Sequence, residues 1–130
     1  MRKTTTVNHK RPVNLDLGSL KYPPMAIVSI LHRISGLVLF LLLPMILYFL
    51  SLSLRSPESF DKLQTIISCP YTKVLLWAFS SALILHLMAG IRHILMDCGF
   101  GEQLIAGRRS AVTVIFLSII LIALLGVWLW

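Results

Sequence analysis

Three stretches of this chain, residues 34–54, 74–91 and 111–130, contain no Asp, Glu, Lys or Arg. Crossing the ~30 Å of hydrocarbon in a bilayer takes about 20 apolar residues of α-helix. Each stretch is near that length, the second being the shortest. With 57% hydrophobic and 13% charged residues over 130 positions, the chain is too apolar for a soluble domain of its size. The expectation is an all-α integral membrane protein. It forms one domain of three transmembrane helices, approximately 27–54, 72–96 and 110–130, behind a short polar N-terminal arm.

The net charge of +7 does not point to nucleic acid, because of where the charge sits. Arg2, Lys3, Lys10, Arg11, Lys21 and Arg33 precede the first span, and Arg92, Arg108 and Arg109 lie between the second and third. Only Arg55, Lys62 and Lys73 fall in the intervening segment, so nine basic residues face three across the membrane. This asymmetry puts the N-terminus and second loop in the cytoplasm, with the first loop and the C-terminus outside. Trp128 and Trp130 suit an outer interfacial belt. The first thirty residues hold neither an apolar signal segment nor a long Arg/Ser-rich transit segment. The first span is therefore expected to direct its own insertion, into a bacterial inner membrane.

Residues 1–20 read as an irregular basic arm. Pro23-Pro24 starts a helix expected to run from Met25 to Leu54, with a kink at Pro44, where a backbone hydrogen bond is missing. Ser56-Pro57-Glu58 resembles a helix start and predicts a short surface helix over 57–67. Cys69-Pro70 introduces the second span, and Gly99 and Gly101 suit its end. The two cysteines flank that span at opposite membrane faces, too far apart for a disulfide, and neither has metal-ligand spacing. The third span, without charge or histidine, reads as scaffold.

The stretch HLMAGIRHILMD, residues 86–97, carries the chemistry. It sets His86 about two turns inside the membrane, where an ionisable group is costly without a partner. Ala82, Ala89 and Gly90 share its helical face, a groove of small residues that a flat ligand could approach. Two readings fit His86: a structural imidazole bonded to a serine or carbonyl of another helix, or a neutral axial ligand to haem iron. At about 1.5 Å per residue, His32 and His93 lie some 10 Å from its level, towards the cytoplasm. The chain then offers one haem ligand at that depth, and a second must come from another subunit.

The cytoplasmic ends of the first two spans gather Ser29, His32, Arg33, Arg92, His93 and Asp97. Of these, His32, Arg33, Arg92 and His93 are candidate partners for haem propionates. Arg92 is equally readable as a snorkelling anchor, and Ser29 as a hydroxyl bonded to its own backbone. Asp97, at a helix C-terminus where a carboxylate opposes the macrodipole, is either a solvated acid or a proton-transfer group. His9, in the arm, has no expected role.

RPVNLDL (11–17), SILHRISG (29–36), HLMAGIRHILMD (86–97) and the GRRSA turn (107–111) together resemble the cytochrome b membrane-anchor subunits of succinate dehydrogenase, complex II. The resemblance covers essentially the whole chain. It implies that His86 is an axial ligand of haem b, with the other ligand supplied by a second membrane anchor subunit. It further implies that Ser29 and Arg33 line a ubiquinone site next to the iron–sulfur subunit, and that His32 lies near the propionates and the quinone. Succinate would be oxidised on a flavoprotein subunit, since this chain has no Gly-rich dinucleotide loop and no cysteine cluster. The chain is thus expected to be a non-catalytic subunit of an enzyme complex. Alternatives are the anchor of a fumarate reductase, a purely structural anchor, and a transporter or channel subunit. The third span's lack of a polar stripe argues against the last.

Overall fold

Proline opens three of the four helices, where its missing N–H costs nothing and its fixed φ suits the first turn. The computed structural model describes residues 22–130, so the polar arm expected over 1–20 lies outside it. The elements are α1 (Pro24–Arg55), α2 (Pro57–Ser68), α3 (Pro70–Asp97) and α4 (Leu104–Leu129). Three of them, α1, α3 and α4, are long and apolar enough to cross a membrane. Pro44 lies inside α1, which continues helical past it to Arg55.

Local chemistry explains the connections. At the start of α2, Ser56 Oγ accepts from the Ser59 N–H at 3.2 Å while Ser59 Oγ accepts from the Ser56 N–H at 3.0 Å, a reciprocal capping box. The Ser59 hydroxyl also donates to the Leu52 carbonyl at 2.7 Å, which ties α2 back to the last turn of α1. The end of α3 is closed by paired bonds. The Phe100 N–H reaches the Leu95 carbonyl and the Gly99 N–H reaches the Met96 carbonyl, both at 2.9 Å. This Schellman arrangement needs a left-handed residue at Gly99, whose φ is 86°.

The three long helices pack on one another, and α2 rests against α1 and α3. Their common core is small: Val28 of α1, Ala89 of α3, and Ala111 and Val114 of α4, with Met25, Met88 and Ile115 packed around them. Short side chains at the crossing let the backbones approach closely, as suits helices in lipid. Further along α3, Trp77 Nε1 donates to the Ile122 carbonyl of α4 at 3.2 Å. Gly126 makes room for it, since a Cβ there would sit 3.2 Å from the indole nitrogen. None of the most apolar window of α1 is buried by the other described residues, which leaves that face to lipid or to further protein.

Candidate functional site

Two short segments with the same spacing meet at the α1–α3 contact. One is His32-x-x-x-Gly36 on α1, and the other is His86-x-x-x-Gly90 on α3. A Cβ on Gly36 would lie 3.1 Å from His86 Cε1, and one on Gly90 would lie 3.5 Å from His32 Nε2. Each histidine therefore packs over the glycine of the opposite helix. The two rings stack, with centroids 4.0 Å apart and planes 19° from parallel. His93 joins from the next turns of α3, its centroid 5.3 Å from that of His32.

This register corrects two expectations. His32 is not some 10 Å from the level of His86: its ring lies directly against it. Counting residues from each helix end ignores how the helices slide past each other, and the reciprocal packing sets His32 only one turn, about 6 Å of helix rise, from Gly36, the residue facing His86. The groove of small residues is also not open along its length. Ala89 is 0% exposed, packed in the three-helix core, and Gly90 faces His32.

The hydrogen bonds of His86 decide its tautomer. Its Nδ1 lies 3.1 Å from the His32 carbonyl and 3.1 Å from Ser35 Oγ. The Ser35 hydroxyl donates to that same carbonyl at 2.8 Å, so its oxygen is left to accept. A carbonyl accepts only, so this contact calls for a proton on Nδ1, and a ring of that tautomer offers Nε2 as its ligating nitrogen. The two readings of His86 are therefore compatible. One nitrogen is held by a serine and a carbonyl of another helix, which leaves the other for iron.

The remaining candidates divide. Arg92 is buried, 5% exposed, with Nε donating to Ser110 Oγ at 3.0 Å and an Nη donating to the Gly107 carbonyl at 3.2 Å. Its guanidinium thus joins α3 to α4 and is turned to the bundle rather than to Asp97. Arg33 and Asp97 are exposed, and Ser29 is half-buried one turn before Arg33 on α1. Ser35 and Gly36 escaped the sequence reading. The repeated His-x-x-x-Gly spacing on two spans was the available clue to both.

Residues 7–125 match the family described as succinate dehydrogenase/fumarate reductase transmembrane subunit. The chain belongs to this family. It is 51% identical over 125 residues to the succinate dehydrogenase cytochrome b556 subunit of Coxiella burnetii, covering 95% of this chain and all of that one. The subunits of the same name from Rickettsia prowazekii and Paracoccus denitrificans are 34% and 30% identical, over 93% and 88% of this chain and 94% and 88% of their own. Family membership and three long apolar helices make this a multi-pass membrane protein.

A b-type haem, the group implied by a cytochrome b, fits what these residues present. The donor is a neutral imidazole whose Nδ1 already has its acceptors and whose ring is braced by Gly36 and His32. His32 is not the opposite ligand. Rings stacked 4.0 Å apart leave no space for a macrocycle between them.

Proposed function

We propose that this chain is a haem-ligating membrane anchor of succinate dehydrogenase, complex II. It lies in a bacterial inner membrane with its N-terminus in the cytoplasm and its C-terminus in the periplasm. One observation carries the reading: His86 Nδ1 lies 3.1 Å from both the His32 carbonyl and Ser35 Oγ on α1, an arrangement that would leave Nε2 to ligate iron. The relatives' shared name, succinate dehydrogenase cytochrome b556 subunit, favours this over a fumarate reductase anchor.

Haem b, when bound, supplies a one-electron carrier within the membrane. His86 would ligate it from this chain, and a second anchor subunit would supply the other ligand. His32, Arg33 and His93 would hold the propionates at the cytoplasmic end through charge-assisted hydrogen bonds. Arg92, engaged with α4, contributes there mainly by fixing the helix that carries His86 and His93. Arg33 and Ser29, four apart on one face of α1, hydrogen-bond a ubiquinone carbonyl. They stabilise its developing negative charge as electrons arrive from the iron–sulfur subunit. Asp97, exposed at the end of α3, passes protons to that pocket from the cytoplasm. Succinate is oxidised on the flavoprotein subunit.

A reduced-minus-oxidised spectrum of the purified complex tests the ligand. It should show a b-type haem that His86→Ala removes or alters. An unchanged spectrum in the variant would sink the assignment, and a wild-type complex without haem would leave a purely structural anchor. Arg33→Ala or Ser29→Ala should lower quinone reduction about a hundredfold or more, the scale of losing one oxyanion donor, while dye-linked succinate oxidation survives. Equal loss of both activities would mean misassembly instead.

A further inference from the structure

We infer that Ser35 is a positioning residue for the haem iron. Together with the His32 carbonyl it holds His86 in the Nδ1–H tautomer, and as a hydrogen-bond acceptor it lowers the reduction potential of the metal. The inference rests on the proposed role of His86 and extends it to a residue that touches neither haem nor quinone in that role.

Ser35 is 5% exposed, on the face of α1 against α3. Its hydroxyl makes two contacts. It donates to the His32 carbonyl at 2.8 Å, one turn back on its own helix, and its oxygen lies 3.1 Å from His86 Nδ1. A serine bonded only to its own backbone would need no neighbour across the helix interface. Two other serines contrast with it, since the enclosed hydroxyls of Ser81 and Ser118 have no partner among the described residues.

The geometry makes the contact hard to lose. Gly36 brings the ring edge against the α1 backbone, its absent Cβ being what would sit 3.1 Å from His86 Cε1. His32 stacks on the ring face. With edge and face both confined, a flip of the His86 ring would put Cδ2 where Nδ1 now meets Ser35 and the His32 carbonyl, and would leave Nδ1 without those partners. An acceptor on the far nitrogen also has an electronic effect. Drawing the Nδ1 proton outward makes Nε2 a stronger donor, which favours the oxidised iron and lowers its potential.

The test uses the purified complex carrying Ser35→Ala, Ser35→Cys or Ser35→Thr, with haem content, midpoint potential and the low-spin EPR g-values as readouts. Ser35→Ala should keep its haem, raise the midpoint potential and shift the g-values, and Ser35→Thr, which restores the hydroxyl, should return both to wild type. A fully haem-loaded Ser35→Ala complex with wild-type potential and g-values would overturn the inference. So would Ser35→Thr shifting as far as Ser35→Ala, because packing would then be the cause. If Ser35→Ala loses haem altogether, Ser35→Cys carries the test. It keeps the volume with a weaker acceptor, and a potential at the wild-type value refutes the role while a rise supports it. Failure of the underlying reading looks different, because His86→Ala would then leave the haem spectrum unchanged.

Discussion

Arg92 has partners in the fold that its place in the sequence does not announce. Read along the chain, it sits with His93 and Asp97 at a cytoplasmic rim and looks like a cation for an anionic ligand. In the folded molecule its donors meet Ser110 and the Gly107 carbonyl on α4. The partners lie fifteen and eighteen residues further on, and nothing in the local pattern points to them. Truncating a buried group of this kind removes charge-assisted bonds and leaves acceptors unmet, at a cost of about 1–3 kcal/mol. Arg92→Ala should therefore lower the thermal stability of the solubilised complex while the haem spectrum persists. Loss of haem at unchanged stability would instead assign Arg92 to the cofactor. Arg92→Lys should recover only part of the stability, because one ammonium cannot reproduce the fork that spans both acceptors.

At the scale of elements, the spans were legible because charge in lipid is expensive, so their absence over long runs leaves few alternatives. The surface helix was legible from Ser56-Pro57-Glu58, and the end of α3 from its glycines. What could not be read was the sliding register between α1 and α3, a property of two surfaces rather than of either sequence. It is carried by His32 over Gly90 and His86 over Gly36. The two glycines are not equivalent. A Cβ at Gly36 would crowd His86 at 3.1 Å against an ordinary contact of 3.5 Å at Gly90. Gly90→Ala should be tolerated, gaining up to about 1 kcal/mol of helix propensity. Gly36→Ala should displace the imidazole and show reduced haem content or a shifted α-band. Identical behaviour of the two variants in the optical spectrum would contradict the register.

The whole molecule is a thin bundle that hides little of itself. Its core is four small buried residues, and Phe40, Leu41 and Val127 stand largely exposed on its outside. Such a surface is at home in lipid or against other transmembrane helices. Orientation is open to direct measurement, since Cys69 and Cys98 are both free and exposed near opposite ends of α3. An impermeant maleimide applied to intact spheroplasts should label Cys69 and spare Cys98, with inverted vesicles giving the opposite. The reverse pattern would turn the topology over.

The clamp around Arg92 has a consequence for the order in which the chain is built. Synthesis runs from the N-terminus, so α1 and α3 can meet, and their histidines can stack, before the ribosome has finished α4. Until then the guanidinium has no Ser110 or Gly107 beside it and must reach for the aqueous edge of the membrane. Arrival of the last span lets it turn inward. The charge thereby acts as a latch that closes only when α4 is in place, and until then α3 is held by α1 and α2 alone.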